Sequence, residues 1–145
     1  MRIVFGSDER TPVTDALVEV LRGRGDEVEL VGPPAGEGLA WPEVGRRVGE
    51  RVAAGRADTG IVCCWTGTGV SIAANKVPGV RAALCGDAVT AAGARRWNDA
   101  NVLALSLRLV TASVAEEIVD AWLATESDPG EAVNIAAVES SDGGR

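Results

Sequence analysis

One stretch of the chain concentrates groups that can do chemistry: Cys64-Trp65-Thr66-Gly67-Thr68-Gly69. Cys64 ends an apolar run, Gly60 to Cys64, and a helical pattern follows the two glycines. A thiol placed just before a helix N-terminus can serve as a base or nucleophile. Gly67 and Gly69 allow a tight turn that leaves backbone N–H groups open, a setting for a phosphate, carboxylate or enediolate oxygen. Each residue also has a plainer reading. The glycines also suit an ordinary strand-to-helix turn, and Cys64 suits a small buried hydrophobe. The segment has no Walker lysine and is not a dinucleotide fingerprint.

Other candidates sit at the ends of neighbouring apolar runs. Asp8 follows Ile3-Val4-Phe5-Gly6-Ser7. Its carboxylate suits sugar hydroxyls, and it equally suits capping the next helix. Trp65 and Trp97 fall outside any amphipathic stripe. Their ring faces fit either a sugar or ordinary packing. Arg95, Arg96 and Arg108 read by default as solvated surface arginines.

The elements that must carry these residues alternate strand and helix. Strands are expected at Ile3 to Phe5, Glu27 to Val31, Gly60 to Cys64, Arg81 to Cys85 and Asn101 to Leu105. Thr11 and Pro12 open a first helix as N-cap and first-turn residue, and Gly23 and Gly25 end it. Gly32 to Ala40 reads as a loop, and a helix follows with Val44, Val48 and Val52 four residues apart. Further helices are expected over Gly69 to Lys76 and Asp87 to Trp97. A last one, opened by a Ser113/Glu116 capping box, runs to about Thr125. Five such alternations imply an α/β, three-layer, Rossmann-like doubly wound parallel sheet of about five strands. Sites in such sheets lie at the carboxyl ends of strands. Residues 1–126 read as a single domain, and residues 127–145 as a polar C-terminal tail with a mobile end.

Bulk properties narrow the function. The net charge of -7, from 14 basic and 21 acidic residues, argues against nucleic-acid and anionic-membrane partners. The chain has no histidine, which removes the commonest proton carrier and metal ligand. Three cysteines with an adjacent pair do not read as a disulfide framework, and Cys63 and Cys64 point to opposite faces of a strand, so they do not read as a metal pair. Reduced cysteines, a short N-terminal apolar run and the absence of a spanning stretch point to a cytoplasmic protein.

The block Cys64 to Lys76 resembles the signature of the family of type B ribose-5-phosphate isomerases and galactose-6-phosphate isomerase subunits. Val80 to Cys85 and Ala94 to Leu105, followed by Arg108, extend the resemblance to about residues 1–125. It implies aldose–ketose isomerisation through a cis-enediolate, with no cofactor or metal. Cys64 would move the proton between C1 and C2, and Thr66 would sit near the ring oxygen. Gly67, Thr68 and Gly69 would hold the enediolate oxygens, and Asp8 would bind hydroxyls. It also implies a homodimer, or dimer of dimers, with shared sites, in which Asn98 and Arg108 reach the neighbour's pocket.

Three positions and one segment depart from the family pattern. Glu9 and Trp97 stand where histidines are usual, Trp65 replaces a small residue, and Glu131 to Ala137 lacks the usual arginines. A phosphate dianion would lose cationic partners and gain a carboxylate neighbour. The expected enzyme is therefore an isomerase with an altered substrate, a small-molecule sugar or sugar phosphate bound by Asp8, Glu9, Trp65, Trp97, Asn98, Arg108 and the loop. A non-catalytic sugar-binding or partner subunit, and an ordinary ribose-5-phosphate isomerase with a rearranged clamp, are the alternatives.

Overall fold

The computed structural model describes residues 1–141. Five strands, β1 (Arg2–Ser7), β2 (Glu27–Val31), β3 (Thr59–Cys64), β4 (Ala82–Leu84) and β5 (Val102–Ser106), form one sheet in the order β2-β1-β3-β5-β4. Every pair is parallel. The helices are α1 (Pro12–Gly23), α2 (Trp41–Ala53), α3 (Thr68–Asn75), α4 (Ala88–Asn98), α5 (Ala112–Ala124) and α6 (Ala132–Ser140).

Successive strand residues face opposite sides of a sheet, and the two cores follow that alternation. Ile3, Phe5, Ile61, Cys63, Leu103 and Leu105 pack with α1, α4 and α5. Val4, Val62, Cys64, Val102 and Ala104 pack with α2 and α3. Cys63 and Cys64 thus lie in different cores, as the strand geometry requires. The expected three-layer, Rossmann-like doubly wound fold is present. At the amino end of β3, in the first core, Trp122 is fully buried and its indole N–H donates to the Thr59 hydroxyl (2.9 Å).

Local details follow the sequence at α1, where Thr11 and Thr14 form a reciprocal capping box behind Pro12. They differ at α5. Its N-cap is Thr111, whose hydroxyl accepts from Val114 N–H (3.2 Å), and not Ser113. Thr111 is the last residue in extended conformation, so Ser113 already lies inside the first turn.

The chain beyond residue 126 is a further difference. A 3-10 turn over Pro129–Glu131 leads into α6. Asp128 N–H donates to the Arg96 carbonyl (2.7 Å), and Arg81 pairs with Glu139. Ala132, Ala136 and Ala137 favour helix without producing an amphipathic pattern, so the periodicity gave no sign of it. The end expected to be mobile, residues 142–145, lies outside the described residues.

The β4 edge has its own closure. The Asn75 side-chain amide accepts from Ala82 N–H (2.7 Å) and donates to the Ala82 carbonyl (3.0 Å). One side chain therefore takes the place of a neighbouring strand at that residue.

Candidate active site

Strand order puts the topological switch between β1 and β3. The chain leaves β1 toward β2 on one side and leaves β3 toward β4 on the other, which opens a crevice at their carboxyl ends. Register makes this specific. Ser7 pairs with Cys63, and Cys64 pairs with Ser106. Asp8 N–H donates to the Cys63 carbonyl (3.4 Å). Asp8, Cys64 and Ser106 therefore form a row across the ends of the three central strands.

Cys64 is 5% exposed. Its carbonyl accepts from Leu107 N–H (3.0 Å), which ties the end of β3 to the β5–α5 connection. Trp65 is 59% exposed, yet its backbone is fixed: its carbonyl accepts from Arg108 N–H (2.9 Å) and the Ser106 hydroxyl (3.1 Å). The Thr66 and Thr68 hydroxyls share a hydrogen bond of 2.7 Å. Gly67 caps α3 in the left-handed region, φ 74°. A Cβ there would stand 2.6 Å from Leu84 and 2.8 Å from the Leu105 backbone, so only glycine fits.

The first turn of α3 is open. Side chains cap α1, α4 and α5 through Thr11, Asp87 and Thr111, but no side-chain hydrogen bond caps α3. Its first N–H groups have no intrahelical partner and carry the positive end of the helix dipole. They lie just past Cys64, where an oxyanion could be received.

Asp8 supplies the opposite wall. Its Oδ1 is buried and has no hydrogen-bond partner. That desolvation, with Glu9 nearby, holds its carboxyl above the usual carboxylate range. An orphaned acceptor in a crevice is what a ligand hydroxyl satisfies. A carboxyl raised in the fold stabilises the protein below its unfolded pKa and costs stability as pH rises through the folded one. Asp8→Asn is accordingly expected to raise Tm at pH 7 and leave it nearly unchanged at pH 3, while weakening sugar binding. A thermal melt at the two pH values checks the first part, and a fall in Tm at pH 7 would contradict it.

The remaining cysteines are packing residues. Cys63 and Cys85 are buried, and burial pushes both thiols up, Cys85 to about 11. Among the described residues no group of three or more His, Cys, Asp or Glu side chains is placed to hold a metal ion.

Not every candidate residue meets at this crevice. Glu9, beside Asp8, donates its N–H to the Ser7 hydroxyl (3.3 Å), and Arg108 is exposed on the β5–α5 connection. Trp97 and Asn98 lie elsewhere. Helix α4 returns from the carboxyl end of β4 to the amino end of β5, so its last residues reach the opposite edge of the sheet. There Trp97, which is 54% exposed, and Asn98 line a cleft of about 480 Å³ with Arg81, Glu131, Asn134 and Ile135. Arg81, the cation of this cleft, is engaged by Asp99 and Glu139. The structure therefore holds two separate groups, one around Cys64 and one around Trp97, and the arginine-free segment of α6 belongs to the second.

The sequence reading did not single out Ser106 or Trp41. Ser106 had a signal, a polar residue ending an apolar strand beside Arg108. Trp41 had only its place before Pro42 at the start of α2.

Comparison with known proteins places this geometry. The family model described as Ribose/Galactose Isomerase matches residues 3–138. The chain belongs to the ribose/galactose isomerase family. Ribose-5-phosphate isomerase B of Escherichia coli (strain K12) is 40% identical over 134 residues, 89% of this chain and 87% of that protein. D-erythrulose-4-phosphate isomerase of Pectobacterium atrosepticum is 35% identical over 132 residues, 90% and 87% of the two chains. The solved structure of Clostridium thermocellum ribose-5-phosphate isomerase B superposes with a TM-score of 0.92 at 38% identity, covering 99% of each chain. Membership brings the class of chemistry with it: the protein is an enzyme of the aldose–ketose isomerase class, as the resemblance implied. No helix among the described residues is long and apolar enough to cross a membrane.

Proposed function

We propose that the protein interconverts an aldose and a ketose through a cis-enediolate, with Cys64 as the base and a substrate other than ribose 5-phosphate. The observation that carries this reading is the row of Cys64 and the orphaned Asp8 Oδ1 beside the uncapped first turn of α3.

The chemistry fits these parts. With the sugar open, the Cys64 sulfur takes the proton from C2. The C–H electrons become the C1–C2 double bond, and negative charge moves onto O1. The N–H groups of Thr68 and Gly69, behind Gly67, face a developing charge there. Returning the proton to C1 while the O2 proton passes to O1 gives the ketose. Asp8 accepts from sugar hydroxyls, and Thr66, hydrogen-bonded to Thr68, lies where the ring oxygen opens.

Charge supports the altered substrate. Glu9 adds a carboxylate near the crevice, and Glu131 and Asn134 line the Trp97 cleft where a phosphate clamp would need cations. The relatives' names span a pentose phosphate and a tetrose phosphate, so the family's substrates vary. A second reading, an ordinary ribose-5-phosphate isomerase, has one observation in its favour: Arg108 has no ion pair among the described residues. A panel of phosphorylated and free aldoses of four to six carbons, assayed for ketose formation, tests both readings.

The two separated groups suggest that sites are completed between copies of the chain, which is also what a homodimer or dimer of dimers in the cytoplasm would supply. Trp97 and Asn98 of one copy would then face the Cys64 crevice of another. Mixing decides this. Cys64→Ala and Asn98→Ala are each expected to be nearly inactive, and co-refolding them should restore activity, because a mixed dimer has one site free of both changes. Activity that stays at the level of the separate variants, or a monomer by light scattering, would rule out shared sites.

A further inference from the structure

Trp41 stands at the first position of α2, at the carboxyl edge of the sheet where Asp8 and Cys64 also lie. A large apolar side chain would ordinarily be covered, yet Trp41 is 43% exposed. Its covered part rests on the first turn of α3. A Cβ added to Gly69 would come within 2.8 Å of the indole Cε3 and 2.9 Å of Cδ2, so the ring lies directly on the Gly69 backbone.

The ring is also held in place. Helices α2 and α3 approach closely through small residues: a Cβ on Gly45 would meet Ala73 at 2.7 Å and the Val70 carbonyl at 2.8 Å, and one on Gly49 would meet Val77 at 3.1 Å. Such contact leaves α2 no freedom to slide along α3, so the distance from Trp41 to Gly69 is fixed by the core. Meanwhile the indole N–H has no hydrogen-bond partner among the described residues. A rigid, half-open aromatic with a free donor, lying on the loop that follows Cys64, is built as a surface for a ligand.

We propose that Trp41 is a specificity-determining wall of the sugar pocket: its indole packs on the C–H face of the substrate above Gly69 and sets the chain length accepted. The inference rests on the isomerase reading above and goes beyond it by naming the residue that selects among sugars. Sugar C–H groups and an aromatic face are complementary because the apolar surface is buried without desolvating the hydroxyls at its rim. The contact exists in the bound sugar and the enediolate alike, so it acts on KM and leaves kcat nearly unchanged.

The test uses Trp41→Ala and Trp41→Phe in the full chain, with aldoses of four, five and six carbons. Two measurements are made: steady-state isomerisation, and calorimetric binding to the Cys64→Ala background, which needs no turnover. For Trp41→Ala, KM and Kd for the preferred sugar are expected to rise roughly 5–10-fold, with kcat within about 2-fold. The preference should shift toward longer sugars, and Trp41→Phe should recover most of the loss. Unchanged Kd, or an equal loss on every sugar that Trp41→Phe does not rescue, would overturn the proposal and leave Trp41 as a packing residue. The isomerase reading fails separately, if the unmodified enzyme binds the sugars and converts none. In that case the binding arm still decides the role of Trp41, and a panel in which no sugar binds overturns both.

Discussion

Replacing Cys64 by alanine is expected to reduce isomerisation by roughly 10²–10⁴-fold, the usual contribution of a positioned proton-transfer group. The loss should fall on kcat, because in the proposed mechanism the sulfur acts on the C2 proton while Asp8 and the α3 N–H groups hold the sugar. Binding, measured by calorimetry, should be nearly unchanged. Cys64→Ser should lose most activity too, since a hydroxyl is far less acidic than a thiol. Cys63→Ala is the matched control. It is one residue away, fully buried in the opposite core, and its thiol is pushed up by burial, so only stability should respond. Near-normal turnover in Cys64→Ala would remove the sulfur from the mechanism and shift attention to Asp8.

The second large effect concerns the terminal phosphate. Ribose 5-phosphate is expected to react weakly or not at all, and a matched sugar without the phosphate is expected to react better. A phosphate dianion needs charge-assisted hydrogen bonds, each worth about 1.5–3 kcal/mol. Arg10 is held by Asp15 at 2.8 Å, and Arg81 is shared between Asp99 and Glu139. Glu9 would repel the dianion near Asp8, and Glu131 would repel it in the Trp97 cleft. The loss of two such bonds corresponds to roughly 10²–10⁴-fold in kcat/KM. The measurement is kcat/KM on ribose 5-phosphate against the unphosphorylated sugar. An efficiency of about 10⁴ M⁻¹s⁻¹ or more on the phosphate would defeat the charge argument. Arg108 would then be the cation to replace, and Arg108→Ala should abolish the difference.

Much of the fold was legible because local and global signals agreed. Thr11 and Pro12 started a helix where β1 ended, and the unbroken apolar run of β3 could only be a strand buried on both faces. The carboxyl-edge group was legible for the same reason: in a parallel sheet, whatever follows an apolar run must gather at one edge. That rule brings Asp8, Cys64 and the glycine loop together from the sequence alone. What escaped depended on contacts between distant residues. Trp41 matters because α2 and α3 meet through Gly45 and Gly49, which no periodicity reports. Thr111 took the cap of α5 from Ser113 because the extended backbone ended two residues earlier than expected. Helix α6 carries no buried residue and hence no amphipathic pattern. The separation of Trp97 from Cys64 is a matter of direction: α4 carries its last residues away from the carboxyl edge that holds Cys64.

The Asn75 side chain has a consequence for how copies of this chain can meet. An exposed strand is an invitation to add another, and from there to unlimited stacking. At β4 the outward-facing N–H and carbonyl of Ala82 are already taken by a single amide, on a strand only three residues long. At the other margin, β2 sets the exposed carboxylates of Glu27 and Glu29 along its length. One margin is closed at Ala82 and the other is charged, and both features disfavour a neighbouring backbone continuing the ladder. Any association of copies is thereby steered away from sheet extension and toward side-chain surfaces on the helices and loops, where contacts are finite.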